Sequence, residues 1–517
     1  MIRDGRDIPS GANLEFDVCV AGAGPAGLAL AEQLAASGTR VVVLESGPAR
    51  PGRETARLNA GRRSGPPYFR LERARTRAVG GSSWQWARGW PAEGGMRSRR
   101  LDPVDFAVRG HVPGSGWPFG AEELEPWYVA AEARCGIEGP VAAEVALGAG
   151  LESAACGFGP PDAFRSGEAL QGRENATLIT GATVLALTPG SDGTVVESLR
   201  CGTLAGTGFT VRARAFVLAG GGIENARMLL SSPFGRPGGV ANAAGQVGRT
   251  FMEHLHVESG RLDLARGAEF DPSRYRRHLA DGVPAIRMLR LDAETQRERG
   301  LLNSTVELRG RDPLFLSGGV RSLAELAWAV GERQRPPRAR EQLAAVARRP
   351  GDVVRAVARR IAKGSGLGGE ALALVITSEQ APNPRSRVSL DSRRDRFGIP
   401  LAHLHWELTP LDVRSIRGTQ DALDAGLQAL GIGRVSAKWG EDGPEPYLHG
   451  CRHHIGTTRM SATAEGGVVD ADCRVHGLRN LFMAGSSVMP TAGAVTVTLT
   501  AVALALRLAG HIKREVL

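Results

Sequence analysis

Residues 16 to 47 read FDVCVAGAGPAGLALAEQLAASGTRVVVLESG, and the order of signals in that stretch decides the fold. Val18 and Val20, among small neighbours, make a buried strand. Gly22-Ala23-Gly24-Pro25-Ala26-Gly27 makes a turn, and an Ala/Leu-rich helix runs to about Ser37. Gly38 ends that helix, and Val41 to Leu44 form a second, parallel strand that finishes at Glu45. Each glycine has a mechanical reason: Gly22 permits the tight turn, Gly24 lets the backbone approach a pyrophosphate, and Gly27 lets helix and strand pack. The helix N-terminus then turns free N–H groups and the positive end of its dipole toward the phosphates. Glu45, 18 residues past Gly27 and followed by Ser46, is placed to accept hydrogen bonds from a ribose, which disfavours NADP. A Gly-x-Gly-x-x-Gly alone arises by chance in a chain with 69 glycines; strand, turn, helix, strand and terminal acid in register do not. NAD and FAD both satisfy this stretch.

Three further stretches favour FAD. TRAVGGSSWQW (76–86) is a loop whose backbone at Gly80, Gly81, Ser82 and Ser83, with Trp86 at its end, can contact a flavin ring. From 176 to 222 the pattern is a strand (ATLITGATVLALT, including Val184), a turn at Pro189–Gly193, and strands through VVESLRCG and FTVRARAFVLAGGG. That meander leads through Gly220 into a helix, as flavoprotein domains of the glutathione-reductase type do. Residues 480–512, NLFMAGSSVMPTAGAVTVTLTAVALALRLAGHI, read as a strand, a Gly485-Ser486-Ser487 loop and a long apolar helix that returns the C-terminus to the first domain.

The chain has 517 residues, enough for two or three domains, with 42% hydrophobic and 23% charged residues, the composition of an ordered globular protein. Its polar N-terminus has no apolar h-region and no apolar run reaches the roughly 18 residues of a membrane helix, so a cytoplasmic protein is expected. Six cysteines without C-x-x-C spacing argue for reduced, buried thiols rather than zinc or disulfides. Ten lysines and arginines fall between Arg333 and Lys363, so most of the net charge of +10 is concentrated there. Leu343, Val346, Val353, Val354, Val357 and Ile361 recur at near-helical spacing, so the segment reads as two basic amphipathic helices broken at Arg349-Pro350-Gly351. A solvated face on an inserted hairpin is the plainer reading; peripheral docking to a membrane or an acidic protein is the sharper one. No motif for nucleic acid accompanies the charge.

Taken in order, the FAD fingerprint, the GGSS loop, VGRTFMEHLH (247–256), NPRSRVSLD (383–391), HHIGTTRM (453–460), GGVVDADCRVHGLRNLF (466–482) and the closing helix resemble the glucose-methanol-choline (GMC) family of flavin oxidoreductases. The resemblance implies an α/β fold with two interleaved parts. A Rossmann-like FAD-binding domain would comprise 1–95, 166–256 and 441–517. An antiparallel-sheet substrate domain would comprise 96–165 and 257–440, with the basic helical insertion at about 321–365. It also implies oxidation of an alcohol to a carbonyl, on a sugar, glycoside or polyol, with oxygen or a quinone-like acceptor reoxidising the flavin. A same-fold lyase using the histidine for acid/base chemistry, and an electron-transferring subunit docked to a membrane or partner, are the alternatives.

Alcohol oxidation needs a base for the hydroxyl proton, and neutral histidine suits that task near pH 7. The family's base stands three residues before the Gly of a Gly-Thr pair, which here is His453. His454 competes, and in an extended CRHHI segment the two rings would face opposite ways. Adjacent histidines without clustered carboxylates or cysteines make a poor metal site, so no metal is expected. The family's second polar partner, a His or Asn, falls at Thr496, which can orient a substrate hydroxyl or contact the cofactor but cannot serve as a second base. Some relatives bind FAD covalently through a histidine where Gln85 stands, so a non-covalent flavin is expected. Where relatives often have Asp, Gly485 stands, with Ser486 or Ser487 as the substitute. Trp84, Trp86, Trp90 and Trp117 read either as a stacking platform for a sugar or as packing around the loop. His254 and His256 read as one face of a strand, structural or at the ring rim.

Overall fold

The computed structural model describes residues 1–86, 95–137, 143–232, 239–280, 282–311, 314, 317–336, 338–363, 371–437, 439, 444 and 448–517. Its first sheet has eight strands, in the order Ile2–Asp4, Ala176–Thr180, Val41–Leu44, Asn13–Ala21, Gly208–Leu218, Val196–Gly202 and Thr183–Pro189, with Leu481–Met483 also paired to Gly208–Leu218. The first five strands of this order run parallel. Such strands are covered on both faces, which is why Val41–Leu44 is apolar at every position and wholly buried. Register aligns three strand ends. Ala21 pairs with Leu218, and Leu218 with Met483, so the turns after them, at Gly22, Ala219–Gly222 and Gly485–Ser487, open at one edge of the sheet. The helix Pro25–Ala36 leaves the first turn, and the closing helix Thr498–Glu515 packs against it.

One strand of the sequence reading is two strands in the structure. Residues 176–188 break at Gly181, whose φ of +68° turns the chain sharply. Ala176–Thr180 joins the parallel core, and Thr183–Pro189 starts the antiparallel meander.

A second sheet of nine strands is antiparallel throughout, with the path Gly433–Ala437, Leu255–Leu264, Ala371–Ser378, Ser304–Arg311, Val283–Leu291, Leu151–Gly159 and Met96–Ser98. Leu255–Leu264 begins directly after the Met252–His254 stretch, so His254 stands at the entry to one strand of this sheet.

The basic segment forms helices Ala339–Arg348 and Pro350–Lys363, separated by Arg349, after a preceding helix Gly318–Gly331. No residue of Ala339–Arg348 is buried, and Leu343, Val354 and Val357 are exposed. The preceding helix is anchored: Glu332, just past its end, accepts the backbone N–H of Arg70 at 2.7 Å and pairs with Arg73. Among the described residues no helix is long and apolar enough to cross a membrane.

Candidate active site

A cavity of about 710 Å³ runs from the three aligned turns to the antiparallel sheet. At one end it is lined by Gly22, Gly24, Pro25, Ala26, Glu45, Ser46, Val184, Gly220, Gly485 and Ser486. Along its side lie Gly81, Ser82, Ser83, Gln85 and Trp86. Gly27 and Gly80 do not line it and act from behind. A Cβ on Gly27 would collide with the Gly22 carbonyl, and Gly80 holds φ +88° where the loop turns. At Gly24 a Cβ would meet nothing within 4 Å, so the space beside this turn is open on the cavity side. Open room above a glycine turn, at the N-terminus of a 12-residue helix, suits a pyrophosphate.

Glu45 reaches the cavity with one oxygen accepting Ala23 N–H at 3.0 Å and the other accepting Gly47 N–H at 2.8 Å. Each carboxylate oxygen keeps a second lone pair for a ribose hydroxyl. Burial pushes this carboxyl up to about 7, against the two amides and Arg77. Sequence reasoning missed the ion cluster nearby, where Glu224 meets Arg75 at 2.9 Å, Arg77 at 2.8 Å and Arg227 at 2.8 Å. Burial pushes Glu224 up, and Arg77, Arg227 and Arg75 outweigh it, holding it well below the usual carboxylate range. Asn225 links two of the turns by accepting Gly220 N–H at 2.8 Å and donating to Ser487 Oγ at 3.0 Å. Ser487 is thus committed inside the protein, and Ser486 is the serine on the cavity.

His453 and His454 both border the cavity, but against different walls. The His454 ring lies beside Tyr68 and Phe251, with centroids 6.3 and 5.9 Å away, and its carbonyl accepts Ser486 Oγ–H at 2.7 Å. Burial, then Arg75, brings His454 down to about 3. The His453 ring stands edge-on to His254, with the two Nδ1 atoms 2.7 Å apart. Its backbone N–H donates to Glu253 Oε2 at 3.0 Å, and the same buried carboxylate takes N–H donors from Cys451 and His254 and the hydroxyl of Tyr68. Burial, followed by His254, holds the His453 imidazole well below its ordinary range, so it stays neutral. A neutral imidazole in a cavity wall can accept a proton.

The Thr496 hydroxyl donates to the Arg97 carbonyl at 2.6 Å, which leaves it only acceptor capacity toward the cavity. The polar group within reach of His453 is instead His254, which precedes its strand. His256 does lie in the strand and borders the cavity with Arg97, Glu307, Arg309, Thr377 and His449. Glu307 is paired with Arg97 and, at 3.0 Å, with Arg309. Apart from His256 these residues carried no local signal, because Arg97, Glu307, Arg309 and Thr377 come from three separate strands of the second sheet and His449 from outside the strands. Of the four tryptophans, Trp86 lines the cavity, while Trp84 donates to the Val79 carbonyl at 2.8 Å and Trp117 to Thr491 at 2.8 Å. Trp84 thus packs the loop, Trp117 packs with Phe106 and Phe119 away from it, and Trp90 lies outside the described residues. Trp328, from the helix before the basic pair, adds an aromatic wall that was not foreseen. All six cysteines are free, and only Cys451, on the cavity, is not buried.

Comparisons agree with this architecture. Residues 17–257 match the family model described as FAD dependent oxidoreductase, and residues 382–505 match the one described as GMC oxidoreductase. The chain is 26% identical to paromamine 6'-oxidase of Streptomyces fradiae, over 98% of this chain and 92% of that protein. It is 23% identical to the fructose dehydrogenase large subunit of Gluconobacter japonicus, over 98% and 99%. With C-glycoside 3-oxidase of Microbacterium trichothecenolyticum the identity is 37% over 24% of each chain. The fold is similar to that of pyridoxine 4-oxidase from Mesorbium loti, with a TM-score of 0.58 at 18% identity, covering 97% of this chain and 99% of that one. The glycine turns, Glu45, the 183–218 meander and the HHIGTTRM segment therefore meet in one cavity of an FAD-dependent oxidoreductase, whose residues 382–505 match the GMC oxidoreductase model.

Proposed function

We propose that this enzyme oxidises a hydroxyl-bearing carbon of a sugar, glycoside or polyol to a carbonyl, with His453 as the base. The observation that carries the reading is that His453, neutral and pinned by Glu253, borders the same cavity as the glycine cradle. FAD, when bound, supplies the two-electron acceptor for hydrogen leaving carbon. Gly22, Gly24, Glu45 and Ser46 would hold its nucleotide half, and Gly81–Ser83, Trp86, Gly485 and Ser486 its ring half. Gln85 offers an amide where a histidyl link would form, which supports a non-covalent flavin, released by acid denaturation. On this plan, the parallel-sheet segments serve the cofactor and the antiparallel sheet covers the substrate.

His453 takes the hydroxyl proton. Thr496 can only accept a hydrogen bond and so orients the substrate at most. Arg97, Glu307, Arg309, His256, His449 and Thr377 give the outer chamber many donors and acceptors, and Trp86 and Trp328 give it apolar faces, a combination suited to a polyhydroxylated ring. Relatives named as acting on paromamine, fructose and C-glycosides favour the same substrate class. Anaerobic addition of candidate sugars tests the reaction type: oxidation bleaches the flavin, whereas a lyase leaves it yellow.

The basic helices fit the headgroup zone of an anionic bilayer, because arginines flank the exposed Leu343, Val354 and Val357. A quinone-like acceptor would be reached from that position. Free cysteines accord with a cytoplasmic site of action.

A further inference from the structure

The pair of facing Nδ1 atoms in His254 and His453 poses a question of polarity, since a hydrogen bond between them needs one N–H and one bare nitrogen. The far side of His254 decides it. Its Nε2 lies 3.1 Å from the Ala492 carbonyl and 2.9 Å from the Gly493 carbonyl. Carbonyl oxygens only accept, so this Nε2 carries a hydrogen. His254 has no exposed surface, and burial disfavours its charged form, so the ring is neutral and its Nδ1 is bare. The donor between the rings is then Nδ1–H of His453. A neutral His453 with hydrogen on Nδ1 has its lone pair on Nε2, and that nitrogen has no hydrogen-bond partner among the described residues on the cavity wall.

We infer that His254 is the positioning residue for the base: through the Ala492 and Gly493 carbonyls it fixes the tautomer of His453 that presents a bare Nε2 to the substrate hydroxyl. Donation runs one way, from His453 Nδ1–H to His254 Nδ1 and from His254 Nε2–H to carbonyls that cannot reverse their polarity, and this leaves His453 Nε2 empty to take a proton. Without His254, the hydrogen can move to Nε2, and the base points a donor at the hydroxyl it should deprotonate. The inference rests on the proposed role of His453 for its consequence, but the tautomer itself does not.

The test is ¹⁵N NMR of holoenzyme labelled at the histidine ring nitrogens, with His453 assigned by loss of its signals in His453→Asn. The parent is expected to show a pyrrole-type, proton-bearing Nδ1 and a pyridine-type Nε2 at His453. His254→Gln should keep that pattern, because the amide N–H₂ can donate to the same carbonyls while its oxygen accepts from His453. His254→Leu should lose it, with the Nδ1 resonance moving toward pyridine-type and Nε2 toward pyrrole-type. A parent with hydrogen on Nε2, or an unchanged pattern in His254→Leu, overturns the inference. Should the leucine variant fail to fold, the parent spectrum decides. Failure of the base assignment looks different: flavin reduction would survive in His453→Asn whatever the tautomer.

Discussion

The carboxylate of Glu253 accepts the backbone N–H of His453 at 3.0 Å, and with it a set of donors drawn from three parts of the chain. Cys451 and His453 belong to the histidine segment, Tyr68 to the N-terminal third. One buried acid thus sets where His453 stands. Glu253→Gln turns an amide N–H₂ toward donors that need an acceptor, at about 1–3 kcal/mol for each group left unpaired. The expected outcome in urea unfolding is a loss of stability of that order, larger than for Tyr68→Phe, which removes a single donor. Equal losses would mean that the backbone donors do not depend on this carboxylate.

Gly24 and Gly27 should separate flavin binding from folding. Gly24 has ordinary extended dihedrals and open space at its Cβ, so Gly24→Val leaves the apoprotein folded while filling the room for phosphate. Gly27→Val drives a side chain into the Gly22 carbonyl and should unfold or fail to accumulate. Circular dichroism and flavin absorbance together check the contrast. A Gly24→Val protein that purifies yellow would refute the cradle assignment.

How much of this was legible beforehand follows from distance along the chain. The cradle could be read because a backbone that must turn and approach a ligand writes its demands into consecutive residues, Gly22 to Gly27. The tie between His254 and His453 spans 199 positions and leaves no local trace. The same holds for Arg97 with Glu307, 210 positions apart. Thr496 drew attention by its place in a motif, yet its hydroxyl is turned to Arg97. Trp84 and Trp117 were ambiguous because aromatic residues near a glycine loop serve packing and binding equally well, and only their N–H partners tell the roles apart.

His256 and His454 should each cost the fold stability on mild acidification. Burial, with Arg309, brings His256 down to about 3, and burial with Arg75 does the same for His454. In the unfolded chain both protonate near the ordinary 6.5, so below that pH the unfolded state binds more protons and stability drops, by up to about 1.4 kcal/mol per pH unit for each ring. The loss accumulates from about pH 6.5 toward 3. Tm measured at pH 7.5 and 5.5 should differ less in His256→Gln than in the parent. An equal difference would place His256 in a protonatable setting.

Vesicle sedimentation addresses the basic helices. Binding to liposomes with about one-third phosphatidylserine is expected at low salt, weakening at high salt as screening shortens the reach of the charges. Neutral phosphatidylcholine vesicles should not bind. Replacing Leu343, Val354 and Val357 with Ser should reduce binding, and indifference to those changes would remove the membrane reading.

Anaerobic flavin reduction by a sugar substrate, in parent enzyme and in His453→Ala, tests the central claim most directly. The account predicts that the variant retains FAD and loses about 10²- to 10⁴-fold in the rate of bleaching, the usual contribution of a positioned general base. A variant that bleaches as fast as the parent would contradict it.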